Sequence, residues 1–330
     1  MNELDSAAHR DLGAVVQAHW PNRSWKSIPL DGGMTNRNWR VTVKSDTRDT
    51  RDTERDFAVQ LLLSTDLAAR IGINRSTQAQ VMPIVEELKL GPKLVAWRQD
   101  NPCALITDFI GDTSSCGPQD RPRVILSVAA ALARLHGHTQ KTTLHNYIAD
   151  PFDGNEWLFR RVQKLVPQAA RSFASALDLS RRCQRARGAF DACLLHSDLS
   201  VGNVLVSPSD VTLIDWEYAG GGDRYFDCGD FAEKWELSAD EERQFVVAYS
   251  SGRDSLEYQL AALRMYRFHS RLREALWAVA ASTTHFVDFD HIAYSRACAV
   301  RLDEIASSSA FEDSVTLMES STEAKEVQCS

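Results

Sequence analysis

The chain has 330 residues, of which 44% are hydrophobic and 25% charged, and its formal net charge at pH 7 is −8. This is an ordinary globular composition, so it excludes global disorder. A net-acidic chain is also a poor binder of a phosphate backbone, and we expect no nucleic-acid partner. The length suggests two domains or one large two-lobed domain.

The cysteines and the N-terminus indicate the expected compartment. The seven cysteines are scattered without a CxxC pair, which favours reduced thiols over a zinc site or a disulfide framework. The N-terminus lacks the basic stretch and apolar run of a signal peptide. The longest apolar run, near Val124–Leu135, is too short to span a bilayer. We therefore expect a soluble cytoplasmic protein without membrane insertion.

The predicted elements of residues 1–108 form a small β-rich lobe with a sheet of the five-stranded type. An amphipathic pattern predicts a helix over residues 1–20, and the polar run Lys44–Asp56 predicts a solvated hairpin loop. A second helix should end at Gly91-Pro92. The predicted strands and this second helix are Trp39–Val43, Phe57–Leu63, Thr77–Leu88 (the helix), Leu94–Trp97 and Cys103–Asp108.

Residues 109–306 predict a larger and mainly helical lobe. Helical patterns cover Val124–Leu135, residues 155–187 and residues 239–305, and a turn-rich β-like section, Leu194–Gly222, lies between them. Residues 307–330 are rich in Ser, Glu and Thr, and we expect them to form a disordered tail. The predicted fold class is α+β, with a small β-rich lobe followed by a larger helical one.

Two polar clusters bear the chemistry. His-Ser-Asp-Leu-Ser-Val-Gly-Asn spans residues 196–203, and Ile-Asp-Trp-Glu spans residues 214–217. Phosphoryl transfer requires a carboxylate beside the nucleophile and oxygen ligands for the Mg²⁺ that bridges the ATP phosphates. Asp198, Asn203 and Asp215 supply such a set. Any one of them alone would fit a capped turn, but the three together, in this order and spacing, favour phosphoryl transfer.

These clusters resemble the catalytic signature of the aminoglycoside phosphotransferase and choline kinase superfamily, which implies a bilobed protein-kinase-like fold. The resemblance extends along nearly the whole chain and is strongest to the choline/ethanolamine kinase branch, particularly to bacterial choline kinases. The further segments that carry it are Gly32–Asn36, Leu90–Leu94, Leu132–His136, Ile214–Gly220 and Phe226–Gly229.

The resemblance implies a role for each matching residue. Asp198 would be the catalytic base, and Asn203 and Asp215 would bind Mg²⁺. ATP, the co-substrate, would contact a glycine turn, a strand residue and the hinge beside the adenine. The residues implied to support the catalytic loop are His196 and Asp227, and those implied to bind ATP are Gly32, Gly33, Met34, Thr35, Asn36, Gln60, Asp108 and Ile110.

The chain departs from the family pattern at two positions. Family members carry a basic residue that touches the ATP phosphates, paired with a helical Glu, and the alignment puts Gln60 and Gln78 at these positions. A Gln–Gln hydrogen bond would preserve the geometry, but a neutral amide does not match a cation. Either the chain is a working kinase that relies on Mg²⁺, loop amides or a substitute such as Arg75, or it is a catalytically weak binding protein of the pseudokinase type. We favour the working kinase because Asp198, Asn203 and Asp215 are all retained.

The acceptor region resembles the choline-site helices. It implies substrate contacts from Trp277, Asp288 and Tyr294, although single aromatics at helical spacing are also typical of a core. Glu217 either supports the metal site or faces the acceptor. Glu274 replaces a family aromatic and favours a cation with N–H donors, such as ethanolamine. We expect phosphorylation of a small cationic alcohol, choline or ethanolamine first, with aminoglycosides, thiamine and amino-sugars as alternatives.

The negative charge is concentrated around these clusters. Residues 198–242 hold twelve acidic side chains against two basic ones, Arg224 and Lys234. We therefore expect a metal ion and a cationic substrate to be drawn to this segment.

Overall fold

A computed structural model describes residues 3–30, 33–44, 54–111, 113, 116–117, 119–138, 151–208, 210–249 and 254–329. The N-terminal lobe is built on a five-stranded antiparallel sheet with the strand order β1-β2-β3-β5-β4. Its elements are α1 (Glu3–His19), β1 (Trp25–Leu30), β2 (Arg37–Lys44), β3 (Glu54–Leu61), α2 (Thr65–Arg70), α3 (Arg75–Glu87), β4 (Leu94–Arg98) and β5 (Ala104–Asp108).

Strand β3 separates a core face from a cleft face. Phe57, Val59 and Leu61 are buried with the apolar side of α1, because alternate residues of a strand point to the same face. Ala58 and Gln60 line the cleft between the lobes. Gln60 therefore lies on the cleft face of β3.

The C-terminal lobe packs around one long central helix, α10, which contacts six of the other helices. Its elements are α4 (Arg121–Gly137), α5 (Pro151–Leu165), α6 (Pro167–Ser172), α7 (Ala174–Arg187), β6 (Ala192–Leu195), β7 (Val204–Val206), β8 (Val211–Leu213), β9 (Gly220–Asp223), α8 (Arg224–Lys234), α9 (Ala239–Tyr249), α10 (Leu256–Ala281), α11 (His291–Ala306) and α12 (Ser309–Cys329). The predicted fold class and two-lobed architecture are confirmed. Among the helices in the described ranges, none is long and apolar enough to cross a membrane.

The prediction of a disordered tail is wrong, because most of it forms α12. Phe311, Val315 and Met318 follow one another at helical spacing and are buried, with the Phe311 ring 5.1 Å from that of Phe268. Arg182 of α7 forms ion pairs with Glu312 and Glu319 of α12. A composition rich in Ser and Glu concealed a narrow apolar stripe that is sufficient for packing.

Candidate active site

A cavity of about 550 Å³ lies between the lobes and collects most of the predicted site residues. It extends from the segment after β5, across β3 and the catalytic loop, to α10. The predicted residues that line it are Gly33, Met34, Thr35, Gln60, Asp108, Ile110, Asp198, Asn203, Asp215, Glu217 and Trp277. Gly32 lies outside the described residues.

The predicted catalytic loop, residues 196–203, is held in place by one buried carboxylate. Asp227, near the start of α8, accepts the backbone N–H groups of His196 and Ser197, each at 2.8 Å. Its Oδ2 also lies 3.1 Å from His136 Nε2. Burial by itself would raise the pKa of Asp227, but the hydrogen bond and charge of His136 hold it below its ordinary value. The carboxylate therefore anchors the loop, in which Ser197 has a φ of +66°.

The His196 ring joins the two polar clusters. Its Nδ1 accepts the Asp198 N–H at 3.2 Å, so Nε2 carries the proton and donates to the Ile214 carbonyl at 2.9 Å. Burial lowers the pKa of His196 and favours this neutral form. With both ring nitrogens engaged and the ring against Trp216, the side chain braces the loops and faces no reactant.

Asn203 and Asp215 have the free oxygens that a Mg²⁺ site requires. Asn203 Nδ2 donates to the carbonyl oxygen of Asp198 at 3.0 Å and to its Oδ2 at 2.8 Å, which uses both N–H groups and leaves Asn203 Oδ1 available. Asp215 Oδ1 is buried and has no partner among the described residues. Burial, then the charges of Glu217 and Asp198, raise the pKa of Asp215, and a bound cation would relieve this cost. The donor set therefore fits Mg²⁺, which takes oxygen ligands.

One residue of the site, Lys234, was missed in the sequence. Its Nζ lies 2.5 Å from Asp198 Oδ1, 3.1 Å from Glu274 Oε1 and 3.2 Å from Asp230 Oδ1. Burial opposes the charge of Lys234, but these three carboxylates raise its pKa well above the ordinary value. The same ion pair outweighs the burial of Asp198 and lowers the pKa of that carboxyl. The one available signal was a lysine among twelve acidic residues.

The end of the cavity at which the ATP phosphates are expected has a rearranged ion pair. Gln78 Oε1 accepts from Arg75 at 2.8 Å, and Gln78 Nε2 has no partner among the described residues, so no hydrogen bond joins it to Gln60. Arg75 instead pairs with Glu217 at 3.0 Å, and Asn36 Nδ2 donates to the same carboxylate oxygen at 2.8 Å. Arg75 therefore lies behind the cavity wall, whereas Gln60 lines the cavity.

The acceptor end differs from the expectation. Trp277 Nε1 donates to Tyr218 Oη at 2.5 Å, and the Arg273 guanidinium lies 4.9 Å from the centre of the Tyr218 ring. Tyr294, one turn into α11, donates to Glu274 at 2.7 Å and does not line the cavity. Burial, followed by the charge of Glu217, raises the pKa of Tyr218 well above its ordinary value.

Asp288 is also not brought to the cavity. It lies exposed in the segment between α10 and α11, two residues before Asp290, whose side chain caps α11. The predicted set of Trp277, Asp288 and Tyr294 is therefore replaced at the cavity wall by Trp277 with Tyr218, Arg273 and Glu274.

Solved structures of two-lobed kinases have similar folds. A choline/ethanolamine kinase family protein from Mesorhizobium loti has a TM-score of 0.68 at 17% identity and covers 96% of this chain and 99% of its own. The choline kinase LicA from Streptococcus pneumoniae has a TM-score of 0.67 at 17% identity and covers 92% of this chain and 100% of its own. A structure of LicA in complex with AMP has a TM-score of 0.68 at 17% identity. An ethanolamine kinase from Plasmodium vivax has a TM-score of 0.67 at 18% identity and covers 95% of this chain and 91% of its own. At these identities the likeness establishes the fold.

The sequence comparisons establish the family. A thiamine kinase from Escherichia coli strain SMS-3-5 is 42% identical over 57 residues, which are 17% of this chain and 20% of that relative. The chain thus matches a fifth of the length of its curated relatives. A model described as the phosphotransferase enzyme family (APH) matches residues 27–266. Since this match covers most of the two lobes, the predicted family is confirmed, and the chain belongs to the phosphotransferase enzyme family.

Proposed function

We propose that the protein is an ATP- and Mg²⁺-dependent kinase that phosphorylates the hydroxyl of a small alcohol. The observation that carries the proposal is the arrangement around Asp198. Asn203 presents an amide oxygen and Asp215 presents a buried carboxylate oxygen, and neither oxygen has a hydrogen-bond partner within the described part of the chain. Asn203 and Asp215 would hold Mg²⁺, which would neutralise part of the charge of the ATP phosphates.

The chain's own residues would position the reactants. Asp198 accepts the proton of the acceptor hydroxyl. The hydroxyl oxygen attacks the γ-phosphorus in line with the leaving ADP. The bond from this phosphorus to the β–γ bridging oxygen breaks, and ADP leaves. His196 and Asp227 hold the loop that carries Asp198, and the hinge at Asp108 and Ile110 borders the adenine. Catalysis is then mainly positioning within a partly enclosed cavity.

A small amino alcohol is the acceptor that the cavity wall favours. The wall includes Glu274, which carries a carboxylate, and the aromatic residues Trp277 and Tyr218. A carboxylate binds an ammonium with N–H donors, whereas a trimethylammonium group is best held by a full aromatic cage. We therefore expect ethanolamine to be a better acceptor than choline. The fold shared with choline and ethanolamine kinases supports this class.

Thiamine is the second candidate acceptor. It is also a cationic alcohol, and the match to a thiamine kinase over 57 residues favours it. Its aromatic cation would stack on Trp277 and would not depend on the charge of Glu274. Aminoglycosides and amino-sugars complete the set to be tested.

An assay of ADP release tests the proposal. Wild type is compared with Asp198→Asn over ethanolamine, choline, thiamine and an aminoglycoside, with ATP binding by calorimetry as the control for folding. We expect turnover with at least one alcohol in wild type, and a rate at least about 100-fold lower in Asp198→Asn at unchanged ATP affinity. ATP binding without turnover on any acceptor would instead indicate a binding protein of the pseudokinase type. Such a protein would be consistent with Gln60, which stands where family members carry a basic residue.

A further inference from the structure

Lys234 connects three carboxylates at the centre of the cleft. It is the last residue of α8, and its side chain is only 7% exposed. The contacts to Asp198, Asp230 and Glu274 use all three N–H donors of the ammonium. Two of these partners, Asp198 and Glu274, line the cavity at the acceptor end. The ammonium therefore lies directly behind the place where the acceptor hydroxyl is expected.

The two partners of Lys234 outside the catalytic loop, Asp230 and Glu274, are also fixed by further groups. Asp230 Oδ2 accepts the backbone N–H of Leu199 at 2.7 Å, and its Oδ1 accepts from Ser270 Oγ at 2.6 Å. Glu274 Oε2 accepts from Tyr294 at 2.7 Å. The ammonium is thus tied to α10 and to the catalytic loop at the same time. A group held in this way has little freedom to move.

We propose that Lys234 is a positioning residue for phosphoryl transfer, which aligns the Asp198 carboxylate with the acceptor bound against Glu274. This inference rests on the proposed function and adds a residue to it. Among the described residues, the other side chain that holds the Asp198 carboxylate is Asn203, which donates to Oδ2. Misplacement of a reacting group by about 1 Å is sufficient to lower a rate about 100-fold. A fixed ammonium on Oδ1 prevents such a displacement and leaves a lone pair of that oxygen free for the hydroxyl.

The alternative is a purely structural role, in which Lys234 only neutralises buried negative charge. Removing one partner of a buried ion pair leaves the other charge uncompensated, so Lys234→Met alone would lower stability in either case. The double variant Lys234→Met with Glu274→Gln removes one positive and one negative charge together. It separates the two roles, because it restores the charge balance without restoring the ammonium beside Asp198.

The experiment measures kcat, the KM of the acceptor, ATP affinity and urea unfolding for Lys234→Met, Lys234→Arg, Glu274→Gln and the double variant. Lys164→Met, at an exposed position of α5, is the matched control and should behave as wild type. We expect kcat to fall about 100-fold in Lys234→Met, with ATP affinity unchanged and partial rescue by Lys234→Arg. The double variant should be more stable than Lys234→Met. Its kcat should be lower than that of Glu274→Gln by the same factor that separates Lys234→Met from wild type. A wild-type kcat in Lys234→Met, or recovery of both stability and kcat in the double variant, overturns the proposal.

The same set of variants separates this proposal from the proposed function. If wild type phosphorylates an alcohol but Lys234→Met is equally active, only the role of Lys234 fails. If wild type phosphorylates none of the alcohols, slow ATP hydrolysis, with water in place of the acceptor, is measured in the same variants. Hydrolysis that falls in Lys234→Met retains the positioning role and refutes the alcohol acceptor. Absence of both activities refutes both proposals.

Discussion

Arg75 Nη1 lies 3.0 Å from Glu217 Oε2, and the two side chains are only 4% and 2% exposed. Arg75 begins α3 in the N-terminal lobe, whereas Glu217 follows β8 in the C-terminal lobe, so this ion pair joins the lobes beside the cavity. It takes the place of the basic–acidic pair expected at Gln60 and Gln78. The positive charge is retained near the site, but it is directed to a carboxylate.

We expect Arg75→Met to destabilise the protein by about 3–5 kcal/mol, because it leaves the Glu217 carboxylate buried without a cation. Combining it with Glu217→Gln should recover much of this loss. Urea unfolding of the two single variants and the double variant measures the coupling free energy. Strictly additive losses would show that the pair contributes no interaction.

Gln60→Lys should lower the KM for ATP by about tenfold, since a cation at the cavity wall would interact with the triphosphate more strongly than an amide does. Adding Gln78→Glu should bring no further gain, because Arg75 lies 2.8 Å from Gln78 Oε1 and would bind the new carboxylate. Steady-state kinetics at varied ATP tests both steps, with Gln60→Met as the uncharged control. A large gain that requires both changes would contradict the rearranged ion pair.

Asp227→Asn should lower stability by about 1–3 kcal/mol, because Asn has one acceptor oxygen for the two loop N–H groups that Asp227 binds. The pKa of Asp227 is lowered in the folded state, so its contribution is fully present above the unfolded value of about 3.9. It is lost as the pH falls through the lower, folded value. The stability difference between wild type and variant should therefore narrow in acid, as measured by urea unfolding from pH 7 down to pH 3. A difference that widens in acid would be inconsistent with an ionised anchor.

Glu274→Gln should reduce kcat/KM for ethanolamine by about tenfold and affect choline and thiamine less, because only ethanolamine uses a charge-assisted hydrogen bond. Asp288→Asn is the matched control, since Asp288 is exposed outside the cavity. Competition between the acceptors in one reaction measures the ratio directly. A larger effect from Asp288 than from Glu274 would reverse our assignment of the acceptor end.

Deleting residues 309–330 should destabilise the C-terminal lobe by about 4 kcal/mol or more, given about 1.5–3 kcal/mol for each of the buried side chains of Phe311, Val315 and Met318. Arg182→Ala, which removes only the partly exposed ion pairs to α12, should cost about 1 kcal/mol or less. Thermal and urea unfolding compare the two variants. Equal stability of the truncated and full chains would indicate that α12 does not contribute to the core.

The catalytic loop was predictable because its chemistry is encoded within 20 consecutive residues. Asp198, Asn203 and Asp215 converge through short strands and turns, so their spacing alone carries the geometry. Lys234 lies 36 residues from Asp198 in the sequence and contacts it through the packing of α8. The ion pair of Arg75 with Glu217 forms only where the two lobes meet. Neither contact has a local pattern. Helix α12 was missed because three apolar residues form its packed stripe within a polar composition.

The most direct test of the account is phosphorus NMR of wild type and Asp198→Asn incubated with ATP, Mg²⁺ and the panel of alcohols. The account predicts that wild type forms a new phosphomonoester signal and ADP in equal amounts, and that Asp198→Asn binds ATP but forms the ester at least about 100-fold more slowly. Ester formation at the same rate in both proteins, or no ester with any alcohol, would contradict it.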